Sequence, residues 1–166
     1  MQPKRVIRER FQVLEEDKTQ TFRHELPAVP IGGSGGNLFF IGMEGSCRKT
    51  LARAVADRLG LAYAEAASPE ALATARRKSG QAVAVTGVEL SDPEAIVALR
   101  DSGKVFYIMS LASILVERLG TPDRLSELAD TAARLEPHFM TAAHFILPVA
   151  ATLEEMLDDV AEKARL

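Results

Sequence analysis

Between Gly42 and Thr50 the chain reads Gly42-Met43-Glu44-Gly45-Ser46-Cys47-Arg48-Lys49-Thr50, directly behind the apolar run Leu38-Phe39-Phe40-Ile41. Two glycines followed by cations and hydroxyls can hold an oxyanion. Backbone N–H groups wrap it at the start of a helix, and a basic side chain neutralises it. The full motif for this work, GxxxxGK[ST], sends a Lys to the outer phosphates of a nucleotide and gives a hydroxyl to Mg²⁺. Counted from Gly42, Cys47 stands at the second glycine, Arg48 at the Lys and Lys49 at the Ser/Thr.

Each change has a physical consequence. A side chain at Cys47 fills space where backbone must approach phosphate closely. Arg48 keeps a positive charge and can fork onto phosphate oxygens, but it is longer and planar, so it does not simply replace a compact ammonium. Lys49 removes the hydroxyl that would ligate Mg²⁺. Glu44 adds a negative charge, and at an effective dielectric of about 20 one such repulsion near 4 Å is on the order of 4 kcal/mol unless the carboxylate turns outward. These changes oppose Mg·ATP turnover without abolishing anion binding by the helix N-terminus. The candidate nucleotide- or phosphate-binding residues are therefore Gly42, Gly45, Ser46, Cys47, Arg48, Lys49 and Thr50. The competing account is that the glycines only let a strand turn into a helix whose Arg48, Lys49 and Arg53 face solvent.

Other chemistry-bearing residues carry less. His24, His138 and His144 have no metal-ligand spacing, and the last two fall near an apolar boundary where packing is the expected role. Cys47, beside Arg48 and Lys49 at a helix start, could be a low-pKa thiol, but no catalytic base accompanies it. Arg76-Arg77-Lys78 ends a helix, where cations suit the dipole. No metal site is indicated, and no catalytic residue is assigned.

These residues are set in alternating strands and helices from Asn37 onward, the pattern of an α/β domain with a parallel sheet. Strands are expected over residues 38–42, 62–65, 82–86, 104–109 and 145–148. Phe39, Phe40, Val105, Phe106 and Ile108 belong to its core. Ser68-Pro69-Glu70 and Asp92-Pro93-Glu94 each give an N-cap, a proline at the first helical position and an early acid, with Gly80 and Gly103 as the stops. Thr152 with Glu155 makes a capping box.

Upstream, residues 5–26 alternate weakly around Phe11, Val13, Thr21 and Phe22, which suggests a β-hairpin. A helix over 5–17 is the rival, since Val6, Arg10, Val13 and Leu14 could share a face. Residues 1–30 thus form an N-terminal arm, 31–36 a Gly-rich tether and 37–166 the body.

A chain of 166 residues, 47% hydrophobic and 26% charged, suffices for one domain with a full core. Its net charge of −3 supplies no basic field for nucleic acid. One cysteine excludes an internal disulfide framework and suits a reducing cytoplasm. Residues 1–10 are charged, with no apolar core of a signal peptide, and no run reaches membrane-spanning length, so a cytoplasmic protein without membrane contact is expected.

From Leu38 to the C-terminus the chain resembles the shikimate kinase family of P-loop small-molecule kinases. The match runs ungapped through LFFIGMEGSCRKTLARAVADRLGLAYAEA, with Arg53 and Leu59-Gly60-Leu61 at the family's positions. The later stretch VAVTGVELSDPEAIVALRDSGKVFYIMSLASILVERLG looks like its third strand, a helix, its fourth strand and the Arg-bearing helix beyond. The resemblance implies a three-layer fold of the P-loop NTPase type, with a five-stranded parallel sheet in order 2-3-1-4-5. It also implies transfer of the γ-phosphoryl of ATP to shikimate with Mg²⁺. Arg118 would match an arginine that stacks on adenine, and Arg124 a lid arginine over the phosphates. Arg53 matches only a helix position and receives no chemical role.

The departures from the family pattern affect substrate and metal. An Asp-x-Asp after the second strand is replaced by Glu65-Ala66-Ala67, and a run of three glycines after the third is reduced to Gly87 in Thr86-Gly87-Val88-Glu89. Between Glu65 and Ala82 there is room for one crossover helix, which already needs roughly 10 to 12 residues, and so none for the substrate-binding insertion. The substrate arginine is missing where the chain reads Arg134-Leu135-Glu136-Pro137-His138-Phe139. Of the acids, Glu65 and Glu89 are placed to assist transfer.

Two functions follow. The favoured one is a catalytically impaired, shikimate-kinase-like pseudoenzyme. It binds ATP, ADP or phosphate weakly, has no clear use for Mg²⁺, and serves a partner-binding or regulatory role, with a homodimer formed through the arm. The alternative is an active shikimate kinase or related ATP-dependent small-molecule kinase.

Overall fold

The structure, a computed structural model, describes residues 36–148 and 151–166. The arm over residues 1–30, whether hairpin or helix, and the tether up to residue 35 lie outside the described residues.

Five strands form one parallel sheet: β1 (Asn37–Gly42), β2 (Ala62–Ala66), β3 (Gln81–Val85), β4 (Gly103–Ile108) and β5 (Phe145–Leu147). Their spatial order is β2-β3-β1-β4-β5, as the resemblance implies. Every residue of β1, β3 and β4 is buried, which is why these segments read as continuous apolar runs rather than alternating ones. β1 is central, pairing Phe39 with Val83 on one side and with Val105 on the other.

Six helices complete the described fold: α1 (Arg48–Leu59), α2 (Pro69–Arg77), α3 (Pro93–Ser102), α4 (Ala112–Leu119), α5 (Leu125–Ala142) and α6 (Leu153–Lys163). They lie on both faces of the sheet. On one face Leu38, Phe40, Phe106 and Ile108 pack against Leu51 and Val55 of α1 and Met156 and Val160 of α6. On the other, Phe39, Ile41, Val105 and Tyr107 meet Leu72, Leu99, Leu115 and Phe139 from α2, α3, α4 and α5. Phe106 stacks between Phe40 at 5.5 Å and Phe145 at 5.2 Å, tying β1, β4 and β5 together.

The helix signals in the sequence act as read. Ser68 accepts a bond from the Ala71 N–H, Asp92 accepts from the Glu94 N–H, and Thr152 and Glu155 form the reciprocal capping box. One stop moves: α2 ends at Arg77 with Lys78 extended, so Gly80 shapes the turn into β3 rather than capping the helix. A single nine-residue helix crosses from β2 to β3, and no substrate-binding insertion intervenes. Between α4 and α5 runs only one 3-10 turn, Pro122–Arg124, so the segment that would carry a lid is very short. None of the described helices is long and apolar enough to cross a membrane.

Candidate functional site

Gly42 ends β1 and Arg48 opens α1, so residues 43–47 form the loop at the carboxyl ends of the strands, where open α/β sheets place their ligands. Cys47 is the N-cap of α1, with φ at 69°. It is the one non-glycine residue in the left-handed region among the described residues. The motif has glycine at this position, and the backbone keeps a glycine-like conformation although the residue has a side chain, at a cost of roughly 1–2 kcal/mol. Fold and sequence conflict here, which is where functional strain concentrates.

A cavity of about 580 Å³ opens over this loop, walled by Gly45, Cys47, Arg48, Lys49, Thr50 and Arg118, with Glu44 and Thr86 at its side. Of the sequence candidates, these six loop, helix and arginine positions come together. Gly42 lines a neighbouring cavity instead, and Ser46 lines neither. The Ser46 side chain is fully buried under the loop, and its Oγ finds no partner among the described residues.

The cations of the site are engaged internally. Arg48 turns inward, and its Nη1 donates to the Val85 carbonyl oxygen at 2.5 Å. Burial lowers its pKa while Glu44 opposes that shift, and the guanidinium stays charged. Lys49 Nζ lies 3.1 Å from Glu65 Oε1, and this bond holds the Glu65 carboxyl below its usual range. Arg118 Nη1 donates to the Gly45 carbonyl at 3.3 Å, which brings α4 to the loop.

Arg124 bonds Glu127 at 3.1 Å and Glu44 at 2.5 Å, so Glu44 turns toward a cation of its own chain. The two carboxylates raise the Arg124 pKa, and Arg124 lowers that of Glu127. Arg53 leaves the loop altogether: its guanidinium lies 4.9 Å from the Tyr63 ring centroid.

The residues do not fit Mg²⁺ well. The position that would supply a hydroxyl is an ammonium, and the Glu65 carboxylate, which lies within β2 rather than after it, is already paired with it. A divalent cation entering there would meet Lys49 as a like charge.

On the far side of Arg48 lies a second cavity of about 410 Å³, bounded by the loop, by the segment after β3 and by α5. Thr131, Arg134, Leu135 and Phe139 reach it from α5 at spacings of three, one and four, which put them on one helical face. Arg134, the first residue of the stretch in which the sequence comparison finds the family's substrate arginine missing, bonds Glu89 at 2.5 Å on its rim. The helical periodicity around Pro137 was the available signal, and the proline obscured it; Pro137 lies inside α5. Gly87 also gains a structural explanation. A Cβ there would come within 1.9 Å of the Ala67 carbonyl oxygen, so its backbone lies hard against the end of β2.

His144 lies directly before β5. Its Nδ1 accepts the Val105 N–H at 2.9 Å, and burial, reinforced by Arg100 and Lys104, pushes its pKa down to about 4.

Among solved structures the chain is similar to shikimate kinase from Bacteroides thetaiotaomicron, with a TM-score of 0.68 at 13% identity over 78% of this chain and 98% of the other. Shikimate kinase from Acinetobacter baumannii, in complex with shikimate, gives 0.65 at 13% over 78% and 93%. A gluconokinase from Sinorhizobium meliloti 1021 gives 0.52 at 20% over 81% and 95%. No protein-family model and no curated protein matches the chain. At these identities the likeness establishes the fold, that of the shikimate kinases and related sugar kinases.

Proposed function

We propose that this chain, built on the shikimate kinase fold, is a catalytically impaired relative. It binds a nucleotide or phosphate weakly in the first cavity and acts through a partner or as a regulator. The observation that carries this is the internal engagement of the site's cations: Arg48 on Val85, Lys49 on Glu65, and Arg124 on Glu44 and Glu127. A triphosphate must displace these partners before it gains the same contacts. Three cations still face one carboxylate around the cavity, which supports anion binding at reduced strength. Phosphoryl transfer needs positioned metal ions and an oriented acceptor hydroxyl. The Lys49–Glu65 pair stands where the metal would be organised.

Titration calorimetry with ADP and ATP, with and without Mg²⁺, tests the proposal. Weak binding nearly independent of Mg²⁺ is expected; submicromolar ATP binding that requires Mg²⁺ would overturn it. Cys47→Gly, Arg48→Lys and Lys49→Ser made together should strengthen ATP binding without creating shikimate phosphorylation.

The second reading, an active small-molecule kinase, draws support from the two cavities that adjoin across Arg48 and Thr86, as a donor and an acceptor site would. ATP consumption dependent on an added alcohol would favour it. The sequence further supports a cytoplasmic protein whose arm, residues 1–30, mediates a homodimer. Deleting residues 1–30 and measuring mass by light scattering tests this, since an unchanged oligomeric state would remove the arm from assembly.

A further inference from the structure

β2 ends the sheet on the side away from β5, and among the described residues no strand pairs its outer edge. Its backbone shows which groups face that edge. Ala62 donates to the Gly80 carbonyl and Ala66 accepts the Thr86 N–H, both at 3.0 Å, so the even-numbered residues direct their N–H and C=O groups toward β3. Those of Tyr63 and Glu65 point the other way. Ala62 and Glu65 are exposed and Tyr63 and Ala64 half-buried, so a second strand can reach them.

Edge strands commonly carry something that blocks such an approach, such as a proline, a bulge or lysines. β2 reads Ala-Tyr-Ala-Glu-Ala and pairs with β3 without a break from Ala62 to Ala66, so it has no proline, no bulge and a single acid.

Self-pairing has one register that uses every outward group. In an antiparallel pair, directly opposed residues exchange both backbone bonds only when both point outward. Tyr63 opposite Glu65 of a second copy makes two such pairs, with Ala64 facing Ala64 on a twofold axis. Centring on Glu65 would set two carboxylates against each other. Centring on Tyr63 would set Glu65 against Leu61, whose N–H is already bonded to the Ala56 carbonyl.

Charge agrees with the same register. Tyr63 packs in the core on the α1 side of the sheet, and Glu65, two residues on, bonds Lys49 of α1. Arg53 of α1 lies 4.9 Å from the Tyr63 ring centroid and forms no ion pair among the described residues. The pairing brings Glu65 of the second copy beside Tyr63 and so within reach of Arg53, on both sides of the axis. Lys49 lies against Glu65 Oε1, which leaves Oε2 to accept.

We propose that β2 pairs antiparallel with β2 of a second copy of this chain about Ala64, joining the two sheets edge to edge. The contact goes beyond the nucleotide proposal and depends neither on it nor on the arm. A pairing this short buries less than the roughly 1,200–2,000 Å² of stable complexes, so the dimer is reversible and concentration-dependent.

Ala64→Cys tests it, in the full chain with Cys47→Ser so that a single thiol remains. Opposed residues of the non-hydrogen-bonded kind stand about 4.5 Å apart at Cα, within the roughly 4.4–6.8 Å that a disulfide spans. In Ala62→Cys on the same background the two thiols would lie roughly 14 Å apart, given a rise of about 3.4 Å per residue. With diamide as oxidant, Ala64→Cys should form the cross-linked dimer at least about tenfold faster than Ala62→Cys, although Ala62 is the more exposed. Adding Arg53→Glu should slow the Ala64→Cys cross-link about tenfold, since the axis makes each charge contact count twice, and Arg53→Glu with Glu65→Arg should restore it. Alkylation by iodoacetamide, run alongside, corrects for thiol reactivity. Equal rates for the two thiols would overturn the proposal, as would an Ala64→Cys chain that stays monomeric because the arm or another segment takes this edge. A charge reversal that rescues nothing overturns it equally.

Discussion

The two ends of the sheet treat their polar groups in opposite ways. At the amino-terminal end, the buried Asn37 donates to the Ala75 and Lys78 carbonyls at 3.3 and 2.9 Å and accepts the Gln81 N–H at 3.2 Å. Gln81 donates to Ala75, Lys104 to the Ala164 carbonyl, and Arg100 to the last carbonyls of α5. At the carboxyl end, Cys47 is held in a left-handed conformation, Ser46 is buried without a partner among the described residues, and Arg48 is folded back onto a carbonyl. A fully connected buried network fixes one structure. A strained, partly satisfied loop beside a cavity marks the end adapted for something other than stability.

The largest expected effect lies at the satisfied end. In Gly103→Ala the new Cβ would stand 2.4 Å from the Asn37 carbonyl oxygen and 2.8 Å from the Phe39 ring, between the two central strands. Neither neighbour can swing away, so the loss should be about 3 kcal/mol or more, read from urea unfolding. A loss under about 1 kcal/mol would mean that this end yields more readily than its packing indicates.

Next in size is a pH effect at the same end. His144 must stay neutral at Nδ1 to accept the Val105 N–H, and its pKa falls from 6.5 to about 4 in the fold. The unfolded chain therefore binds the extra proton between these values. The contribution is fully present above about pH 6.5 and is lost as pH falls toward about 4, up to about 3 kcal/mol. In His144→Asn the amide oxygen accepts the same bond without titrating. Unfolding free energies compared at pH 7 and pH 4.5 should show a smaller acid loss in the variant, and equal losses would remove His144 from the account.

At the strained end the sign reverses. Cys47→Gly relieves the left-handed conformation, offset in part by the greater freedom of glycine in the unfolded chain. A net gain of about 0.5 to 1 kcal/mol is expected in the denaturation midpoint. Destabilisation would show that the thiol is packed favourably enough to outweigh the backbone strain.

A surface control completes the series. Arg58 and Asp158 lie 2.6 Å apart with side chains 44% and 61% exposed. Asp158→Asn should change stability by less than about 0.5 kcal/mol, because solvent screens such a pair. A larger effect would mean that the contact between α1 and α6 depends on this charge.

Most of the scaffold was legible because its signals are local. Leu38 to Ile41 is buried on both faces and reads as one apolar run; Ser68, Asp92 and Thr152 cap helices within three residues of their own positions. The turn of the loop into α1 follows from glycine spacing. Strand order came from resemblance rather than periodicity, since a parallel sheet places β1 between β3 and β4 through contacts distant in the chain.

The site was legible only as a collection of residues. Their types led to the expectation of an anion site and marked the altered metal position. Where each cation would turn was settled in space: Arg48 to a carbonyl 37 positions away, Arg124 to a carboxylate 80 positions away, and Arg134 to Glu89 across a cavity. Long charged side chains rotate freely about several bonds and choose among whatever acceptors the fold brings near. Short-range pattern fixes the elements that carry them, while only tertiary packing supplies the partners.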